Sequence, residues 1–180
     1  EKLKKAEEAE KEKALREAEE RKKAEQAKVL KDFKAFEAQK AAEEARKRET
    51  TEKHYKKGLG FQDKKAVKEA AKEYQEVIRL DPNHSYAHNN LGTLLYRGGD
   101  LKGAVAHYRE AIRSNPENAE AYYNLANALD DGTDYNGAIQ ALNRYIQLTP
   151  KKNEADLAGA RRFIADLELK KQGSLVPQTS

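Results

Sequence analysis

Four histidines, a set of tyrosines and asparagines, and abundant carboxylates are the residues of this chain that could do chemistry. His84 and His88 stand four apart, a spacing that places two imidazoles on one helical face, where a metal ion could take both. His84, however, lies in the turn after Pro82, and beyond Asp81 no third ligand stands near, so no metal is expected. His54 and His88 are 34 residues apart, and the same step from His88 reaches Tyr122, which marks a packing position. No serine–histidine–aspartate order and no phosphate loop is present, and Gly58-Leu59-Gly60 lacks the third glycine and preceding strand of a dinucleotide site. The carboxylates are interleaved with lysines, the pattern of a solvated surface. A non-catalytic protein without cofactor is expected.

The elements that carry these residues follow from composition. Of the 180 residues, 37% are charged, too many for one core to take in the whole chain. The polarity is concentrated: residues 1–50 hold 30 charged residues, 11 alanines and only six larger apolar ones, Leu3, Leu15, Val29, Leu30, Phe33 and Phe36. Two regions with different physics are implied. The net charge of +4 is shared evenly between them, and no basic cluster free of acids offers a track for phosphates, so nucleic acid is not expected. No apolar run approaches the ~20 residues of a membrane span. With no cysteine, disulfides and thiol chemistry drop out together, and cytoplasm and periplasm fit equally. The first residue is Glu1 rather than methionine, which leaves room for more protein ahead of it.

From residue 51 onward the sequence repeats. Pro82, Pro116 and Pro150 are spaced 34 apart. The same step links Ala70, Ala104 and Ala138; Ile78, Ile112 and Ile146; Tyr74, Tyr108 and Leu142; Phe61, Leu95 and Leu129; and Gly58, Gly92 and Ala126. Within Ser85 to Asn118, helical spacing of Ala87, Leu91, Leu94 and Leu95 predicts one helix, ended by Gly98-Gly99. Asp100 caps a second, whose buried stripe is Leu101, Ala104, Val105, Tyr108, Ala111 and Ile112, and Pro116 stops it. Gly92 and Ala104 fall where the two helices cross and permit close approach.

This 34-residue helix-turn-helix unit resembles the tetratricopeptide repeat, with Leu91-Gly92, Leu95, Ala104, Tyr108, Ala111 and Pro116 at that family's spacing. The resemblance implies an all-α solenoid of three helix pairs over 51–84, 85–118 and 119–152. A capping helix over 153–169, with Ala155, Ala160, Phe163, Ile164 and Leu167 apolar, and a flexible tail over 170–180 complete it. Repeat one departs from the pattern: Lys57 replaces Leu91 and Leu125, and Gly58-Leu59-Gly60 is a poor helix interior, so its first helix is expected to be loose or braced by what precedes it.

The resemblance also implies a concave face lined by the first helices, which binds a peptide or another protein. Carried over by the 34-residue step, the inward positions are Tyr55, Lys56 and Leu59 in repeat one; Tyr86, Asn89, Asn90, Thr93, Tyr96 and Arg97 in repeat two; and Glu120, Tyr123, Asn124, Asn127, Asp130 and Asp131 in repeat three, with Arg161 added by the capping helix. Asparagine amides can pair with both N–H and C=O of an extended backbone, and Asn90 with Asn124 would begin such a ladder. Some family members grip a carboxylate tail through Lys, Asn and Arg. Here only Asn90 matches, while Tyr55, Leu59, Glu120 and Asn124 replace the rest, so an anionic tail is not expected.

Residues 1 to 57 contain neither glycine nor proline. Glu-to-base pairs four apart, such as Glu7–Lys11, Glu12–Arg16, Glu17–Arg21 and Glu43–Lys47, favour a long solvated helix, single or weakly coiled. Leu3, Leu15 and Leu30 share no heptad register. Val29, Leu30, Phe33 and Phe36 nonetheless form a short apolar stripe that needs another surface, on the first repeat or on another chain. The degenerate first repeat is a poor one, so a homo-oligomeric contact is expected, and with it an alternative role as a structural assembly subunit.

Overall fold

The computed structural model describes residues 1–175, and those residues form seven helices: α1 (Lys2–Asp63), α2 (Val67–Leu80), α3 (Ser85–Arg97), α4 (Leu101–Ser114), α5 (Ala119–Asp131), α6 (Tyr135–Leu148) and α7 (Glu154–Leu175). The chain divides into two compact units, residues 1–49 and the residues from Thr50 onward. Helix α1 contributes to both.

In the first unit every residue is exposed. With lysine, glutamate and alanine at nearly every position, the helix draws on propensity and on side-chain pairs such as Arg16–Glu12 at 2.6 Å rather than on burial.

In the second unit each repeat pairs a first with a second helix: the end of α1 with α2, α3 with α4, and α5 with α6. The fit between partners is set by a small residue against an aromatic ring. A Cβ placed on Gly92 would come within 2.8 Å of the Tyr108 ring, and one on Gly58 within 2.6 Å of the Tyr74 ring. Tyr74 and Tyr108 are almost wholly buried as a result. Gly58 is therefore not a break. Of the two expectations for this segment, loose or braced by what precedes it, the helix that runs unbroken from Lys2 to Asp63 fits the second, and contact with Tyr74 outweighs the roughly 1 kcal/mol propensity penalty of a mid-helix glycine.

Turn chemistry recurs with the same period. Lys65, Gly99 and Thr133, each 34 apart, close the turn between first and second helices with left-handed backbone, at φ of 58°, 84° and 63°. Asp100 and Asp134 then accept the N–H of Gly103 and Gly137, both at 2.9 Å, and cap α4 and α6. The first helices are capped differently: His84 Nδ1 accepts from the Ala87 N–H at 3.1 Å, and Asn118 Oδ1 from the Ala121 N–H at 3.2 Å.

The core lies between the pairs. One cluster gathers Ala70, Tyr74, Val77, Ala87, Leu91 and Leu94, and a second runs from Ala104 and Tyr108 through Leu125 and Leu142 to Leu167 of α7. The stripe expected in α4 is buried at Ala104, Tyr108 and Ala111, with Leu101, Val105 and Ile112 half-buried. The final helix differs from expectation at both ends. Ala155 is exposed and Leu157 takes the buried place, because the helix meets α6 on the face defined by Ala160 and Leu167. It also runs on to Leu175 rather than ending at residue 169, with Lys170 Nζ held 2.7 Å from Asp130 Oδ1. Only residues 176–180 of the expected tail lie outside the described residues.

Candidate protein-binding surface

The first helices stand side by side through contacts between residues 35 apart, one more than the repeat. Asn90 Nδ2 of α3 reaches the Tyr55 hydroxyl of α1 at 3.4 Å. Asn124 Nδ2 of α5 donates to Asn89 Oδ1 of α3 at 3.0 Å. The Tyr96 hydroxyl of α3 donates to Asp131 Oδ2 of α5 at 2.6 Å. A fourth link joins the repeats beneath: Asn118 Nδ2 donates to Ser85 Oγ at 2.9 Å, and Ser85 Oγ–H donates to the Ala111 carbonyl at 2.8 Å.

These contacts rearrange the expected row of site residues. Asn90 and Asn124 make equivalent bonds one repeat apart, to Tyr55 and to Asn89 at the same repeat position, so both amides turn onto the preceding first helix. Asn89 is 0% exposed, so it lies beneath the surface rather than on it, and its Nδ2 has no hydrogen-bond partner among the described residues. Thr93 Oγ1 donates to the Asn89 carbonyl at 3.0 Å and accepts from the Tyr108 hydroxyl at 3.3 Å. Asn127 Nδ2 turns back to the Tyr123 carbonyl at 3.0 Å.

What remains at the surface is aromatic and weakly acidic. Tyr86 is 52% and Tyr123 38% exposed, with Arg97, Glu120 and Asp131 also exposed. The Tyr123 ring lies 5.1 Å from that of Tyr145, tilted by 52°, and meets Phe163 edge-on at 6.5 Å. Tyr55, half-buried, packs its ring 4.9 Å from His84. Burial pushes the Tyr55 phenol above its ordinary value, with Glu120 and Tyr86 close enough to add to the effect. The Tyr96 phenol rises to about 12, chiefly through its hydrogen bond to the Asp131 carboxylate. Such hydroxyls stay neutral donors at any physiological pH.

The histidines serve the scaffold. His54 Nδ1 lies 2.5 Å from Glu73 Oε2, joining α1 to α2. One repeat on, His88 Nδ1 lies 3.0 Å from His107 Nδ1, joining α3 to α4, and His88 Nε2 lies 3.1 Å from the Pro82 carbonyl. A carbonyl can only accept, so neutral His88 carries its hydrogen on Nε2 and accepts at Nδ1 from the His107 Nδ1–H. Burial and the neighbouring His88 lower the His107 pKa. Among the described residues no three His, Cys, Asp or Glu gather as metal ligands, and no helix is long and apolar enough to cross a membrane.

Paired antiparallel helices at a fixed 34-residue period, stapled through their first helices and closed by a final one, define a helical-repeat protein-interaction module. The tetratricopeptide repeat model matches residues 55–115 and 90–153, and the chain belongs to that family. A search of curated proteins found no match. Among solved structures, the chain is similar to the TPR2B domain of yeast Sti1 in complex with pHsp70, at 23% identity and a TM-score of 0.57, covering 69% of this chain and 98% of that one. PcrH in complex with the chaperone binding region of PopD gives 20% identity and a TM-score of 0.63, covering 69% and 95%. The first TPR of Spaghetti (RPAP3) bound to the HSP90 peptide SRMEEVD gives 19% and 0.58, covering 65% and 97%. At these identities the likeness is one of fold.

The inter-repeat staples escaped sequence reading because they join positions 35 apart, one out of step with the period that aligns the repeats. The recurring amide or hydroxyl at 55/90, 89/124 and 96/131 is the signal that would have found them.

Proposed function

We propose that this protein is a non-catalytic scaffold that holds an extended segment of another protein along the row formed by the end of α1, α3 and α5. The observation that carries this reading is the arrangement of Tyr86 and Tyr123: large, amphipathic and exposed on consecutive first helices, over amides and hydroxyls already fixed by inter-repeat bonds. Rigid tyrosines bury much area for little lost side-chain freedom, and a pre-stapled surface loses less entropy on binding. That three structures of the same fold hold peptides or protein segments supports the reading. Glu120 and Asp131 favour a neutral or basic segment over an acidic tail.

The test is selection of binders from a random peptide library displayed on phage, followed by titration of the best synthetic peptide. Tyr86→Ser with Tyr123→Ser is expected to weaken it at least tenfold while the melting temperature moves little, since both side chains are well exposed. Equal affinity for the variant would move the binding surface elsewhere.

A further inference from the structure

The stripe on the charged unit is independent of that groove. Val29, Leu30, Phe33 and Phe36 are 64, 54, 56 and 65% exposed, on a helical segment dominated by charge and alanine. A groove on this helix is lined by Lys22, Glu25, Gln26, Val29, Leu30 and Phe33. With Phe33 at a heptad a position, Gln26 is also a, Val29 and Phe36 are d, and Leu30 is e. This is a two-heptad seam, ended by Glu19 and Lys22 before it and by Lys40 and Glu43 after it.

From this pattern we infer that two copies of the chain pair through the stripe as antiparallel helices, with the two-fold axis at Lys31. The charges that flank the seam set the orientation. In parallel, in-register pairing, each g residue faces the e residue of the next heptad on the partner helix. That brings Asp32 against Glu37 and Lys11 against Arg16, twice each, all like-charged. In antiparallel pairing the facing positions are e with e and g with g. Lys23 then meets Glu37 and Arg16 meets Glu44, twice each and all opposite in sign. Against these stand Asp32 with its own copy at the axis and Lys11 with Lys53 at the edges. The like-charged seam ends, Glu19 with Glu43 and Lys22 with Lys40, have like-charged counterparts in the parallel pairing too, where each meets its own copy. In the same register Val29 packs on Phe33 of the other copy, Leu30 on Leu30, and Phe36 over Gln26, so all four apolar residues of each helix are covered together. A seam this short lies at the small end of interface sizes, so the pair is weak and concentration-dependent.

The absence of cysteine allows a direct test. Full-length chain is followed by analytical ultracentrifugation from low micromolar to near-millimolar concentration, and a monomer–dimer equilibrium is expected. Phe33→Glu with Phe36→Glu is expected to shift that equilibrium at least tenfold toward monomer without changing the melting temperature of the repeats. Under mild oxidation, an equimolar mixture of Val29→Cys and Phe33→Cys chains is expected to cross-link several-fold more than either alone, since antiparallel pairing sets residue 29 against residue 33. A monomer throughout, a dimer that survives the double glutamate variant, or a double variant whose repeats lose stability would overturn the pairing. Preferential cross-linking of either cysteine variant with itself would overturn the orientation.

Discussion

Two glycines in equivalent places show how much a single residue decides here. Gly58 and Gly92 sit against the rings of Tyr74 and Tyr108, and the neighbouring helix occupies the space a Cβ would need. In both cases the ring is buried and has nowhere to go. Gly58→Ala is therefore expected to destabilise the repeats by about 1–3 kcal/mol, despite alanine being the better helix former. Chemical denaturation monitored at the tyrosines would measure this. A stabilised variant would mean that α1 does not press on Tyr74. By contrast a Cβ placed on Gly60 would meet nothing within 4 Å, so Gly60→Ala serves as the control for propensity alone.

At the scale of the element, hydrogen-bonded side chains tie helices that apolar contact has already brought together. The His88–His107 contact between α3 and α4 is one, and it is expected to respond to acid through His107. His107 is held below its ordinary value of 6.5 by burial and by His88, with Glu110 and Asp100 opposing. A histidine whose folded pKa is depressed takes up its proton more readily in the unfolded chain. Its contribution to stability is thus complete above pH 6.5 and is lost as pH falls through that value toward the folded pKa. Melting temperatures across this range are expected to fall with acidification, and more steeply in the native chain than in His107→Gln, which keeps a donor but does not titrate. Parallel profiles for the two proteins would remove His107 from the account.

At the scale of the whole molecule, two units hold their helices by different means. Residues 1–49 bury nothing, so their helix rests on propensity and on ion pairs worth ~0.2–0.5 kcal/mol each. The repeats share two packed clusters and lose them together. Circular dichroism on heating is expected to show a broad, sloping loss of helix that begins at low temperature and deepens with added salt, followed by one cooperative transition that salt affects little. A single sharp transition for all the helical signal would contradict this division.

The sequence by itself determined the repeat, its period, the alternation of first and second helices, and the core stripe at Ala104, Tyr108 and Ala111. These follow from spacing, and burial of an apolar stripe needs only a partner of the same period. It also marked Tyr86 and Tyr123 as candidate surface residues and the Val29–Phe36 stripe as an apolar patch on a charged helix. Only the tertiary structure decided that Gly58 belongs inside a helix, that the final helix extends past residue 169, and that Asn89 lies beneath the surface while Asn90 and Asn124 bond across to the preceding first helix. Each of those outcomes depends on a neighbour far along the chain: a ring 16 residues on, a carboxylate 40 away, an amide 35 away. Local propensity and hydrophobic period carry no information about such neighbours, because both are properties of one helix, whereas a hydrogen bond or a close crossing is a property of two.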